Sequence, residues 1–325
     1  MATNPPQTEP KAQHYVPKFY LKGFTDKQHA LWVYEQFKPL RESKPKKEAQ
    51  RPDYYTHAED GERDERAENA LQGAEWQAAP IIRKLANPMY VLTQENAAHL
   101  TVFVALMFAR VPSWREYLNT LAGQVIRHKL INLANDKETF HKLCSGLESK
   151  RGRPYAVNLE ELREYWLQGE FQLEQTSKAF NLKTMFRSAI TIMGILRDFG
   201  QQILYAPQGK YFMTSDAPVY TLKPEPNRVA TVGIGFGWPG VEVYFPLNKR
   251  ACLRMAAARR AGRRTIEGGH VDEINHLVMA TATKYLYSSE RFRRTSRLFD
   301  ERGCKVRTGK SAFLPTPPSE YGRLF

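Results

Sequence analysis

The chain has 325 residues, a formal net charge of +14, 42% hydrophobic and 25% charged residues. That balance supports a packed core and excludes a disordered, collagen-like or disulfide-stapled chain. The longest clean apolar run, VFVALMFA at residues 102–109, falls far short of the roughly 20 residues that cross a bilayer.

Residues 1–12 are rich in proline and polar groups and predict a disordered lead-in without the apolar stretch of a secretory signal. HYVPKFYLKGFTD then predicts an extended segment and a short helix ending at Gly23. ALWVYEQF at residues 30–37 predicts a strand, and a further short strand is expected around Tyr54 and Tyr55. From Arg63 the period becomes helical, with Leu71, Glu75, Ala78 and Ile82 on one face and Pro80 as a candidate kink. Thr93 is a candidate N-cap for the next helix, which Pro112 should bend or end. Helical pattern resumes over residues 114–132, 158–171 and 178–199.

After Gly200 the character changes. QILYAPQ, KYFMTSDAPVYTL, GVEVYFPLN and CLRMAAA are β-formers punctuated by Gly and Pro, the pattern of an antiparallel sheet. Residues 271–289 return to helix, and residues 311–325 form a Pro-rich loose tail. The expected fold is α+β: a helical body over residues 63–199, packed with an antiparallel β-sheet drawn mainly from 201–256. The N-terminal strands are candidates to join that sheet, in a single domain spanning 13–310.

Cys144, Cys252 and Cys304 are isolated, with no paired spacing for zinc. They fit free thiols in a reducing compartment, so a cytoplasmic location is expected, and without a spanning run no membrane partner is expected. Charge is concentrated: residues 249–310 hold 16 basic and 6 acidic side chains, +10 of the +14. Arg259, Arg260, Arg263, Arg264, Arg293 and Arg294 stand out there as candidate nucleic-acid-binding residues. Arginine's planar fork suits phosphate, and a solvated basic surface is the alternative.

Five segments occur together in this order: HYVPKFYLKGF at 14–24, the glutamates of ERAENALQGAEW, MFARVPSWRE, FMTSDAPV at 212–219 and VEVYFPLN at 241–248. Together they resemble the domain-of-unknown-function family 4238 over about residues 14–290. The resemblance implies no particular reaction, but it directs attention to the polar residues in these segments.

His14 is a candidate general base or metal ligand, or else a structural histidine. Glu68 and Glu75 lie two helical turns apart on one face, about 10 Å along the axis. They could help hold Mg²⁺ or orient His14, or they could pair with Arg110. Arg110 follows a run of core residues and must be paired if buried; it could clamp a phosphate or one of these glutamates. Asp216 in TSDAPV could be an acid/base group or ligand at a strand end, or close a turn through the backbone. Ser215 has no GxSxG elbow and is not a candidate nucleophile. GIGFGWPG lacks a following phosphate-binding helix, and the six-residue spacing of His270 and His276 is not that of a zincin.

Two function classes follow. One is a metal-dependent, nuclease-like enzyme on nucleic acid that uses His14, Glu68, Glu75 and Asp216, with Arg110 on phosphate. The other is a non-catalytic nucleic-acid or protein-binding module in which these residues form a structural polar network.

Overall fold

The computed structural model describes residues 11–59, 62–154, 157–169, 177–225, 228–230, 235–257, 261–292, 295–301 and 314–315. The fold is α+β, as expected. The chain divides into two compact units, Met1–Ser113 with Lys178–Phe325, and Trp114–Ser177.

In the larger unit the first described element is β1 (Ala12–His14). Val16 and Pro17 are buried, and α1 (Lys18–Leu21) runs into a tighter turn ending at Phe24. The expected strand at 30–37 is β2 (Leu31–Glu35), followed by β3 (Arg41–Ser43). The strand expected at Tyr54 lies slightly earlier, as β4 (Gln50–Pro52), antiparallel to β1. Asp53 then takes a left-handed φ of 46° that ends it, and the buried rings of Tyr54 and Tyr55 follow in the bend. A hairpin of β5 (His57–Glu59) and β6 (Glu62–Asp64) leads into α2 (Arg66–Lys84). Pro80 lies inside this helix, whose buried side carries Leu71, Ala78, Ile81 and Ile82. α3 (Gln94–Ala109) starts where the Thr93 hydroxyl accepts from the Asn96 amide at 3.2 Å.

The smaller unit contains all but the first two residues of α4 (Pro112–Asn135), together with α5 (Lys137–Arg151) and α6 (Leu159–Gln168). Asp136 and Asn158 cap α5 and α6 with their side chains. Phe140 and Cys144 of α5 bury against Leu162 and Trp166 of α6, with the Phe140 and Trp166 rings edge to face at 5.3 Å.

The chain returns to the larger unit through α7 (Lys178–Leu196). β7 (Gly200–Tyr205), β8 (Thr214–Ser215), β9 (Tyr220–Glu225), β10 (Arg228–Ala230), β11 (Glu242–Asn248), β12 (Ala251–Ala256) and β13 (Gly262–Thr265) follow. Then come α8 (Gly268–Thr281), β14 (Tyr285–Ser288) and β15 (Leu314–Pro315). The large sheet runs β13-β7-β12-β11-β9-β10-β15. It is antiparallel apart from β13, which runs parallel to β7 on one edge.

Three expectations need correction. The N-terminal strands do not join the large sheet; β3 and β2 form a separate four-stranded sheet with β14 and β8. The helix expected to reach residue 289 stops at Thr281, and Tyr285–Ser288 is a strand. Within the C-terminal tail, Leu314 and Pro315 pair with β10.

The large sheet is covered on both faces. On one, Phe245 stacks on Tyr20 at 5.1 Å and meets Phe103 of α3 at 6.0 Å. On the other, Tyr220 and Leu222 pack with Tyr34, Val278, Met279, Leu286 and Phe299. Gly23 sets how closely the N-terminal turn approaches this sheet. Its carbonyl accepts from the Lys249 amide at 2.9 Å, and a Cβ there would come within 2.9 Å of the Asn248 Cβ. Gly23→Ala should therefore force the turn off β11, at a cost of about 1–3 kcal/mol. Thermal unfolding would show it, and an unchanged melting temperature would mean that the contact relaxes freely.

Candidate functional site

Several of the polar motif residues gather around β1. Arg110, at the end of α3, is only 2% exposed. Its Nε donates to the Tyr15 carbonyl at 2.9 Å and its Nη2 to the His14 carbonyl at 2.8 Å. Its Nη1 donates to Glu75 Oε1 at 2.9 Å. The guanidinium also lies 5.8 Å from the centre of the Tyr55 ring. Burial works against its charge, but Tyr55 and Glu75 outweigh that and hold its pKa above the usual value. Arg110 thus bolts α3 and α2 to the backbone at residues 14–15.

Glu68, two turns before Glu75 on α2, serves the same segment through a residue that the sequence reading missed. Gln13 Nε2 donates to Glu68 Oε2 at 2.6 Å and to Thr56 Oγ1 at 2.7 Å. Its Oε1 accepts from the Tyr55 amide at 2.6 Å. Every polar atom of this buried amide is thereby paired, which a side chain just ahead of His14 needs in such a place. Gln13 has no titratable group and no periodic partner, so only its position beside the HYVP segment marked it.

The His14 ring is half-buried, and its Nδ1 has no hydrogen-bond partner among the described residues. Burial lowers its pKa, the Glu48 backbone opposes this, and the Lys18 and Arg110 charges add to the lowering. A neutral imidazole at physiological pH follows. Glu48 itself is buried, and its carboxylate is gripped by both Nη atoms of Arg41 at 2.6 and 2.9 Å and by the Ser43 hydroxyl at 2.5 Å. The backbone here is unusual: Ala49 holds a left-handed φ of 51°, and its carbonyl accepts from the Tyr15 amide at 2.9 Å.

Asp216 follows β8 and is 6% exposed. Its Oδ1 accepts from the Thr283 amide at 2.9 Å and its Oδ2 from the Lys284 amide at 2.8 Å. Its own amide donates to the Tyr285 carbonyl at 3.1 Å. Those bonds stop α8 at Thr281, because the next amides turn to a carboxylate instead of continuing the helix. Burial nevertheless dominates and raises the Asp216 pKa to about 6, with the backbone bonds opposing it. Its charge reaches the Tyr15 and Tyr287 phenols, whose own pKa values are raised chiefly by burial. The Tyr287 hydroxyl is buried without a hydrogen-bond partner among the described residues.

Arg110 therefore joins Glu75 to the His14 and Tyr15 backbone, Glu68 reaches the same strand through the Gln13 side chain, and the Asp216 charge is felt at Tyr15. The geometry does not make a magnesium site of the glutamates. Glu68 is engaged by Gln13 and Glu75 by Arg110. Among the described residues no three His, Cys, Asp or Glu groups are placed to share one ion.

Of the six candidate nucleic-acid arginines, Arg259, Arg260, Arg293 and Arg294 lie outside the described residues. Arg263 and Arg264 sit on β13, where every residue is exposed. They pair in register with Ile203 and Leu204 of β7 and so point to opposite faces of the sheet. Arg263 Nη1 donates to the Met89 and Tyr90 carbonyls at 3.1 and 3.2 Å. The Arg264 side chain makes no hydrogen bond or ion pair with the described residues.

Fold and site together define an α+β protein whose N-terminal strand is tied by a buried arginine network to two helices. A family model described as "Protein of unknown function (DUF4238)" matches residues 12–292, and the chain belongs to that family. No curated protein and no solved structure matches it. Among the described residues no single helix is long and apolar enough to cross a membrane.

Proposed function

We propose that the protein is a non-catalytic module that binds nucleic acid through its basic surface, with the His14–Arg110 region as a structural hub. The observation that carries the non-catalytic part is the saturation of Arg110. Its fork is spent on Glu75 and on two backbone carbonyls, which leaves no bidentate face for a substrate phosphate. Binding is supported by the +14 charge and by the exposed arginines of an edge strand. Arginines along an edge also discourage other chains from pairing there, so the test must be direct.

The test is retention on duplex DNA and on single-stranded RNA across a salt series. Affinity should fall steeply with salt and equally across sequences, because phosphate contacts release counterions and read no bases. Arg263→Ala with Arg264→Ala should weaken binding at every sequence and flatten the log–log salt slope on duplex DNA by about 1.8. Failure of the unaltered protein to retain either polymer at low salt would end this reading. The enzyme reading has one supporting feature, a carboxyl raised to about pKa 6 next to the segment that carries a neutral histidine. Cleavage of the same polymers in Mg²⁺ that stops in EDTA would favour it over the module.

A further inference from the structure

A cavity of about 960 Å³ lies in the larger unit, away from the arginine hub. It is bounded by the start of α3, the end of α7, the first residues of β7 and the edge strand β13. Its volume is at the upper end of the roughly 300–1,000 Å³ usual for small-molecule sites. The walls are largely apolar: Val91, Leu92, Val102, Met193, Phe199 and Ile203. Gly194 and Gly262 also line it, and a Cβ at either would meet nothing within 4 Å, so these glycines hold space open.

The charges at the cavity share one sign. Arg197 and Arg263 line it, and none of the described lining residues is acidic. Arg197 is largely exposed and, among the described residues, makes one ion pair, at 3.3 Å with Asp198. Arg263 gives one nitrogen to the Met89 and Tyr90 carbonyls, and the rest of its fork has no hydrogen-bond partner among the described residues. Thr93 and Gln94 bring the N-terminal turn of α3 to the same wall, and the amides of such a turn favour an anion. Glu95 shares that turn but does not line the cavity. The wall also holds a buried acceptor without a donor. Gln201 is 6% exposed and its Nε2 donates to Ala97 O and Thr101 Oγ1, both at 2.8 Å. Its Oε1 has no partner among the described residues; that acceptor calls for a donor and does not bear on the sign of an occupant's charge.

We propose that this cavity binds a small amphipathic organic anion, with an apolar body between α3 and α7 and a carboxylate-like head at Arg197 and Arg263. An apolar interior alone would take any greasy molecule. Two cations, with no acid among the described lining residues, select the anionic one, since the same head would meet repulsion at an acidic rim. This goes beyond the nucleic-acid reading, because the interior of the cavity has no part in holding a polymer backbone.

The experiment uses the full chain, 1-anilinonaphthalene-8-sulfonate as the fluorescent occupant, and decanoate or decanol as the competitor. Decanoate should displace the dye at concentrations at least tenfold lower than decanol. Gly194→Leu fills the space, and in a helix it should leave the melting temperature equal or higher. It should weaken decanoate at least tenfold while retention of nucleic acid stays unchanged. Arg197→Ala should weaken decanoate about fivefold and leave decanol unaffected, as loss of an exposed charge pair would. Equal displacement by decanol and decanoate overturns the proposal. So does a folded Gly194→Leu variant that binds decanoate as tightly as the unaltered chain.

Discussion

Arg110→Met lowers the stability of the fold by about 3–5 kcal/mol, the cost of breaking a buried ion pair from one side. The loss has three parts. Glu75 keeps a charge without its partner, and the His14 and Tyr15 carbonyls lose their donors in a buried setting. Arg110→Lys should recover little, because an ammonium cannot reproduce a fork that reaches three acceptors in different directions. Urea unfolding of both variants measures this. In a double-mutant cycle, Glu75→Gln should cost much less once Arg110 is gone. A Met variant within 1 kcal/mol of the parent would show that the network is ornamental, and would return Arg110 to the list of ligand-binding groups.

The stability contributed by Asp216 should fall as pH rises. Its carboxyl has a pKa of about 6 in the fold, against an ordinary value of 3.8. The folded state therefore prefers the protonated form. That contribution is complete below about 3.8 and is lost as pH climbs through 6. Asp216→Asn has no such titration. The parent should lose roughly 3 kcal/mol relative to this variant between pH 3.5 and 7.5, since each pKa unit is worth about 1.4 kcal/mol. Paired denaturation curves across that range cancel the titration of every other group. A gap that moves the opposite way would mean that the Thr283 and Lys284 amides outweigh burial and hold the carboxylate ionised.

Elements with local signals were legible in the sequence. Thr93 and Asn158 mark helix starts because an N-cap acts within three residues of itself. α5 escaped notice although Asp136 caps it, because its face buries only Phe140 and Cys144 among many charged neighbours. The break between α8 and β14 was not legible, since its cause, the Asp216 carboxylate, is 67 positions away from Thr283 in the chain. At the site, Glu75 and Arg110 could be foreseen as partners from the cost of burying a charge after an apolar run. Gln13, Glu48 and Tyr55 could not, since their roles come from neighbours supplied by distant strands and bends. Nor could the cavity be read, because its walls come from three separated stretches of the chain.

The four-stranded sheet places a constraint on how the molecule is made. β2, near the start of the chain, is completed only when β14 pairs with it, Tyr34 opposite Leu286. Loop closure over so long a separation is paid before any contact rewards it, so this pairing belongs to the late, slow part of folding. On the ribosome, the edge of β2 stays open until Tyr285–Ser288 have been synthesised. During that interval the N-terminal segment has the exposed apolar surface that chaperones recognise.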